Sequence, residues 1–251
     1  MEKAFELSHI LYLVLLVPAM IVGLILIKKY CKTKKSVNIA LAITAGTLFL
    51  IIILNRIGLA VWGDKYNSPD IRLMLPFSYC SFTSYFLPIF VFALWKNRNH
   101  AVFHFLVYTA FLGGLAATIM PAQILNMPGD KNIFGLRTLT GLLHHTLGMF
   151  LALVLIVTNE FKPDWRKTWI WFLGCCVMIT FGMFQIQALG MENSMEMNKP
   201  FIDGSKFFTW YWAGPLIGGG FVMSVALFCE YFPKWIAKRR MNNAELRGNT
   251  K

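Results

Sequence analysis

Seven apolar stretches alternate with short polar connections along the chain, each long enough for the roughly 20 residues a helix needs to cross hydrocarbon. They run approximately over 8–28, 37–62, 72–95, 101–122, 138–158, 168–189 and 207–232. The connections are too short to fold by themselves, and no internal repeat or low-complexity tract interrupts them. The pattern therefore predicts an all-α, polytopic membrane protein: one seven-transmembrane-helix bundle occupying residues 1–251 as a single domain. The first residues, MEKAFELSHI, lack a basic n-region and a small-residue cleavage site, so the first stretch is expected to be a retained helix, not a signal peptide.

Composition supports this. Of 251 residues, 57% are hydrophobic and only 14% charged, against about 25% charged in an average soluble domain. The net charge of +12 lies between the apolar runs and is not gathered on one surface, which argues for basic membrane loops and against a nucleic-acid partner. Its distribution also orients the chain. One side carries Lys3, Lys65, Arg72, Lys131, Arg137, Lys199 and Lys206. The other carries Lys28, Lys29, Lys32, Lys34, Lys35, Lys96, Arg98, Lys162, Arg166, Lys167 and the basic C-terminal residues Lys234, Lys238, Arg239, Arg240, Arg247 and Lys251. By the positive-inside rule the N-terminus is expected outside and the C-terminus in the cytoplasm, in a multi-pass plasma-membrane protein. Trp62, Tyr66, Trp95, Trp165, Trp210 and Tyr231 fall near predicted helix ends, where amphipathic rings sit at the interface.

A polar side chain in lipid is costly unless it faces protein or water, so intramembrane polar residues mark where function should lie. The stretch LPFSYCSFTSYFLPIF, residues 75–90, is apolar yet carries Cys80 among hydroxyls. With a third helix entering at 72, Cys80 is about 12 Å deep, and His145, seven residues into the fifth helix, is at similar depth. Asn55, Gln123 and Gln185 are expected in the same outer half. Cys31, Cys175, Cys176 and Cys229 are not, so Cys80 is the thiol placed to meet His145. A thiol beside an imidazole can carry an acyl group as a thioester; the plainer possibility is a buried cysteine acting as a small hydrophobe. The five cysteines form no paired framework and no CxxC, and neither a structural disulfide nor zinc is expected.

Other features qualify the picture. His144 and His145 point about 100° apart on a helix and cannot share one partner, so one is expected to hydrogen-bond a neighbouring helix. His100 and His104 are expected at the cytoplasmic interface. Met191, Met195 and Met197 offer soft ligands for Cu(I) but also suit packing. Gly113–Gly114 and Gly218–Gly220 suit close helix contacts, and Pro76, Pro88 and Pro121 should bend their helices. Arg56, the basic residue inside a span, either snorkels to the surface or holds the phosphate or carboxylate of a head group. Ser84 shares the i, i+4 face of Cys80 and is expected to point into the bundle.

The motifs LPFSYC, IMPAQ, LLHHTLGM, FKPDW, NSMEMNKP and YWAGP occur in an order and spacing that resembles the bacterial YwaF-like integral membrane proteins. The pattern is similar, more broadly, to the superfamily that includes the vertebrate transmembrane protein 164 acyltransferase. The resemblance covers about residues 70–230 and implies a seven-helix membrane protein; for the vertebrate relative it implies acyl transfer on phospholipids, through a cysteine that follows a proline in the third helix and a histidine in the fifth. Carried over, these fall on Cys80 and His145. The sequence departs from bacterial members at Ser78, where many have a histidine two residues before the cysteine, and at His144, where others have a different polar residue.

The expected activity is therefore a lipid acyltransferase or transacylase with Cys80 and His145 catalytic. Asn55, Arg56, Ser84, Gln123, His144 and Gln185 are expected to bind substrate, membrane lipids are the expected partners, and no cofactor or metal is expected. A non-enzymatic transporter or small-molecule binder using the same cavity is the alternative. Against it, the chain shows neither paired intramembrane charges nor inverted repeats. A structural subunit, its polar layer facing another chain, is the third reading.

Overall fold

The computed structural model describes residues 7–62, 69–119, 135–195, 197 and 213–248, and these form seven α-helices without a strand. They are α1 Leu7–Tyr30, α2 Lys34–Trp62, α3 Tyr79–Ala93, α4 Phe103–Ile119, α5 Leu136–Val157, α6 Trp169–Leu189 and α7 Ala213–Gly248, with 3-10 turns at Ile71–Met74 and Trp165–Lys167. Five helices are long and apolar enough to cross a membrane: α1, α2, α5, α6 and α7. The other two, α3 and α4, are apolar but have only 15 and 17 residues. The all-α membrane bundle expected from the apolar pattern is what the chain forms.

Helix α5 lies at the centre. It packs most extensively on α4 and α2, and α3 closes against α2 and α4. In its spanning window 61% of the residues are buried, whereas none are in that of α1. The difference follows from side chains: α1 is apolar on every face and turns Val14, Leu15, Ile21 and Ile25 outward, where lipid solvates them as well as protein would. Two polar contacts fasten α1 to the bundle, His9 Nε2 donating to the Thr118 carbonyl at 3.0 Å and Tyr12 Oη with Thr146 Oγ1 at 3.1 Å. The core is built from Leu41 and Leu48 of α2, Leu87 and Val91 of α3, Phe103 and Leu106 of α4, Leu151 and Leu155 of α5, and Met178 of α6.

One expectation is corrected. The third helix does not begin at 72. Asp70 caps a single 3-10 turn, Leu75 is extended before Pro76, and Ser78 caps α3 with Ser81 in a reciprocal capping box. Proline disfavours helix in the residue before it, and the two serines satisfy the first orphan donors, so the helix starts three residues past Pro76. Pro76 thus precedes the helix and does not bend it. His104 is fully buried within the bundle against Phe161, with ring centroids 4.8 Å apart. Pro121 and Gln123 lie outside the described residues.

At one end of the bundle, Glu160 accepts from Lys34 Nζ at 2.7 Å and Arg98 Nη1 at 3.1 Å, and Arg98 also reaches Asn38 Oδ1 at 2.7 Å. This knot joins the start of α2 to the α3–α4 and α5–α6 loops.

Candidate functional site

Cys80 is the second residue of α3, inside the turn that Ser78 and Ser81 cap. The backbone N–H groups of a first helical turn lack intrahelical acceptors, and the positive end of the helix dipole lies there. At 15 residues α3 is about 22 Å long, shorter than the roughly 30 Å of hydrocarbon. Pro76, just ahead of the cap, is buried, so protein covers the irregular backbone that leads into the helix.

The glycine pair of α4 brings three helices together. A methyl at Gly113 would lie 2.6 Å from Cys80 Sγ, and one at Gly114 would lie 2.5 Å from the His145 carbonyl oxygen and 2.5 Å from Met149 Cβ. Only residues without Cβ permit both approaches, α3 on one side and α5 on the other. The contact leaves a small cavity bordered by Cys80, Ser84, Thr109, Ala110, Gly113, Gly114, His145 and Gly148. Its volume of about 10 Å³ is room for about one water molecule. His145 Nδ1 is buried and has no hydrogen-bond partner among the described residues.

Cys80, Ser84 and His145 are thus brought to one cavity, though not by the route the depth estimate assumed. The chain reaches that layer as a 3-10 turn and extended backbone, and the helix begins there. The remaining hydroxyls of the stretch serve local structure: Ser78 and Ser81 bond one another, and Thr83 donates to the Tyr79 carbonyl at 2.8 Å.

The other expected site residues take separate places. His144 lies against His145, ring centroids 4.1 Å apart, but its Nδ1 donates to the Thr140 carbonyl of its own helix at 3.1 Å, not to a neighbouring helix. Asn55 Nδ2 donates to the Arg137 carbonyl at 3.3 Å and Thr140 Oγ1 at 3.1 Å, tying α2 to α5. Arg56 does not snorkel. It is 3% exposed, and its guanidinium carbon stands 4.5 Å from the centre of the Phe77 ring. Gln185 is fully buried, and its Oε1 accepts from the Ser194 hydroxyl.

That last bond belongs to a strap over the same end of the bundle. Gly190 turns the chain in the left-handed region, φ 64°, where a side chain is disfavoured. Arg72 Nη1 then donates to the carbonyls of Leu189 and Gly190 at 2.9 and 3.1 Å, and the Met195 N–H donates to the Phe77 carbonyl at 2.8 Å. Arg72 is held in turn by Asp70, whose carboxyl it hydrogen-bonds and so keeps below the usual carboxylate range. Met191 and Met195 are buried packing residues here, Met195 over Gly182. The strap therefore fixes Phe77, one residue ahead of the α3 cap.

The sequence reading missed Thr109, Ala110 and Gly148 as cavity walls and Phe77 as the platform under Arg56. The available signals were the S-x-x-S spacing of a capping box and the small residues at 110, 113, 114 and 148.

A helical bundle with five membrane-spanning helices and a buried polar centre defines an integral membrane protein. The chain belongs to the TMEM164 family, whose family model matches residues 4–231. The broader of the two resemblances drawn from the motifs, that to the transmembrane protein 164 superfamily, is therefore correct. Comparison with curated proteins and with solved structures returned no match.

Proposed function

We propose that the protein is a membrane-lipid acyltransferase or transacylase that works through a thioester on Cys80. The observation that carries this reading is the shared cavity of Cys80 and His145, with the thiol in the first turn of α3. His145 takes the thiol proton as Cys80 Sγ bonds to the carbonyl carbon of a lipid ester. The ester C–O bond then breaks, and the leaving alcohol receives the proton from the imidazolium. In the second half an acceptor hydroxyl gives its proton to His145 and attacks the thioester, releasing the new ester and the thiol. The positive end of the α3 dipole suits the negative charge that develops on sulfur and on the carbonyl oxygen. Arg56, buried on Phe77 at the same end, suits a phosphate head group. By the charge distribution along the chain this end faces the outer leaflet of the plasma membrane. A cavity the size of one water requires side chains to move before an ester enters, as in enzymes that close around their substrates.

The test is acyl-chain profiling of phospholipids from cells expressing wild type, Cys80→Ser or His145→Ala. Cys80→Ser should abolish the remodelling that wild type produces, and His145→Ala should slow it by about 10²- to 10⁴-fold. Remodelling that persists unchanged in Cys80→Ser would overturn the mechanism.

A further inference from the structure

Two hydroxyls border the Cys80 cavity, and only one of them is spent. Thr109 Oγ1 donates to the Phe105 carbonyl, four residues back, at 2.8 Å. Thr83, Thr118, Thr146, Thr180 and Ser224 bond their own helices in the same way. Ser84 departs from this habit. Its hydroxyl makes no hydrogen bond among the described residues, although Ser84 is only 4% exposed and the Cys80 carbonyl stands four residues back. Thr138 Oγ1 is also without a partner there, but it sits in the first turn of α5, where the carbonyl four residues back precedes the helix.

The Ser84 hydroxyl is offered to the cavity instead. A methyl at Gly148 would lie 3.9 Å from Ser84 Oγ and 3.9 Å from Ala110 Cβ, so this oxygen faces α5 across the space that Cys80 and His145 border. Ser84 follows Cys80 by four residues, which puts both on one face of α3 with Cβ atoms about 5–6 Å apart. Helical side chains lean toward the N-terminus, so Ser84 leans toward the turn that holds the thiol. A buried hydroxyl without a partner is costly, and here it is kept beside a thiol and an imidazole.

We infer that Ser84 is the side-chain donor to the oxyanion that forms when Cys80 attacks an ester. The inference rests on the acyl-transfer reading. As Cys80 Sγ bonds to the carbonyl carbon, the π pair of the carbonyl moves onto its oxygen, one atom from the carbon that sulfur now holds. The Ser84 hydroxyl donates to that oxygen and keeps its own proton; such a donor acts from about 2.7–3.1 Å. When the ester C–O bond breaks, the pair returns, the carbonyl re-forms and the leaving alcohol takes its proton from His145. Attack of the acceptor on the thioester rebuilds the same tetrahedral centre, and the same donor serves it. Thr109 does not fill this role, because its proton is already given to the Phe105 carbonyl.

The experiment compares two reactions of one thiol in full-length protein in detergent, each followed at Cys80 by peptide mass spectrometry. p-Nitrophenyl octanoate acylates the thiol through an oxyanion, whereas iodoacetamide alkylates it without one. Ser84→Ala should slow acylation by about 10²- to 10³-fold and leave alkylation unchanged. Gly148→Ala keeps the hydroxyl but fills the space in which the oxyanion would sit, and should slow acylation as well. Thr83→Val removes a hydroxyl already bonded to the Tyr79 carbonyl and should leave both rates at wild type. Acylation at the wild-type rate in Ser84→Ala or in Gly148→Ala, or equal loss of both reactions in Ser84→Ala, would remove Ser84 from the chemistry and leave the thioester standing. A wild-type protein that forms no thioester at Cys80 would overturn the acyl-transfer reading and this assignment together.

Discussion

At one end of the bundle Lys34, Asn38, Arg98 and Glu160 close on one another, each charge answered by another across a few ångströms. Toward the other end Cys80, Ser84 and His145 border a space, and His145 Nδ1 has no partner among the described residues. Both regions bury polar atoms at a cost in lipid. In the first, the atoms satisfy each other and the result is a joint between loops. In the second, glycines let three helices close until only the width of one water is left, and chemistry-bearing atoms face that space. Polarity alone does not mark a site; polarity directed at a cavity does.

The comparison can be broken from either end. The largest effect is expected at Gly114→Val, because a Cβ there meets the His145 carbonyl and Met149 Cβ at 2.5 Å, both fixed parts of α5. Overpacking of this kind costs about 3 kcal/mol or more, so the variant should fail to yield folded protein in detergent. Glu160→Ala comes at a similar scale by the opposite means. It strands a buried Arg98, which costs about 3–5 kcal/mol, and a large fall in the unfolding midpoint should accompany intact thiol reactivity at Cys80 in protein that remains folded.

Gly113→Ala sharpens the contrast. Its added methyl meets Cys80 Sγ at 2.6 Å, the far end of a short side chain that can rotate, so stability should drop by only about 1 kcal/mol. Acyl transfer and labelling by a thiol-reactive lipid probe should fall far more than that loss explains. Equal loss of folding and labelling would show that the cavity is merely packing. A smaller effect is expected at Tyr12→Phe, which removes one hydrogen bond between peripheral α1 and Thr146, worth about 0.6 kcal/mol in membrane helices, readable as a slight fall in the unfolding midpoint.

The smallest effect is the pH dependence of the strap. Arg72 keeps the Asp70 carboxyl below its ordinary range. A carboxyl lowered in the folded state contributes stability above its unfolded value and loses it as pH falls through the lower, folded one. The clamp is thus constant near neutral pH and released only in acid, and its effect is small because the pair is exposed. Hydrogen exchange at Gly190 and Met191 should rise in Arg72→Gln at pH 7 and in wild type only in acid. Unchanged exchange in Arg72→Gln would remove the strap from the account.

The length and order of the apolar runs determined the number and order of the helices, because hydrocarbon demands about 20 apolar residues per crossing wherever they fall, but not the start of α3 or the end of α7. They also pointed to Cys80 and His145 as a pair, although through a helix start that the structure moves from 72 to 79. Local chemistry that the apolar pattern hides set the start of α3: Pro76 and the Ser78–Ser81 box override seven residues that are apolar enough to be helical. The tertiary structure alone decided which polar residues meet. Asn55, His144 and Gln185 have depths as suitable as His145, yet the first binds Arg137 and Thr140, the second turns to Thr140 and the third holds Ser194. Depth is one coordinate and rotation about each helix is another, fixed by how closely neighbours approach. Here Gly113 and Gly114 set that approach, and so decide which side chains face the cavity.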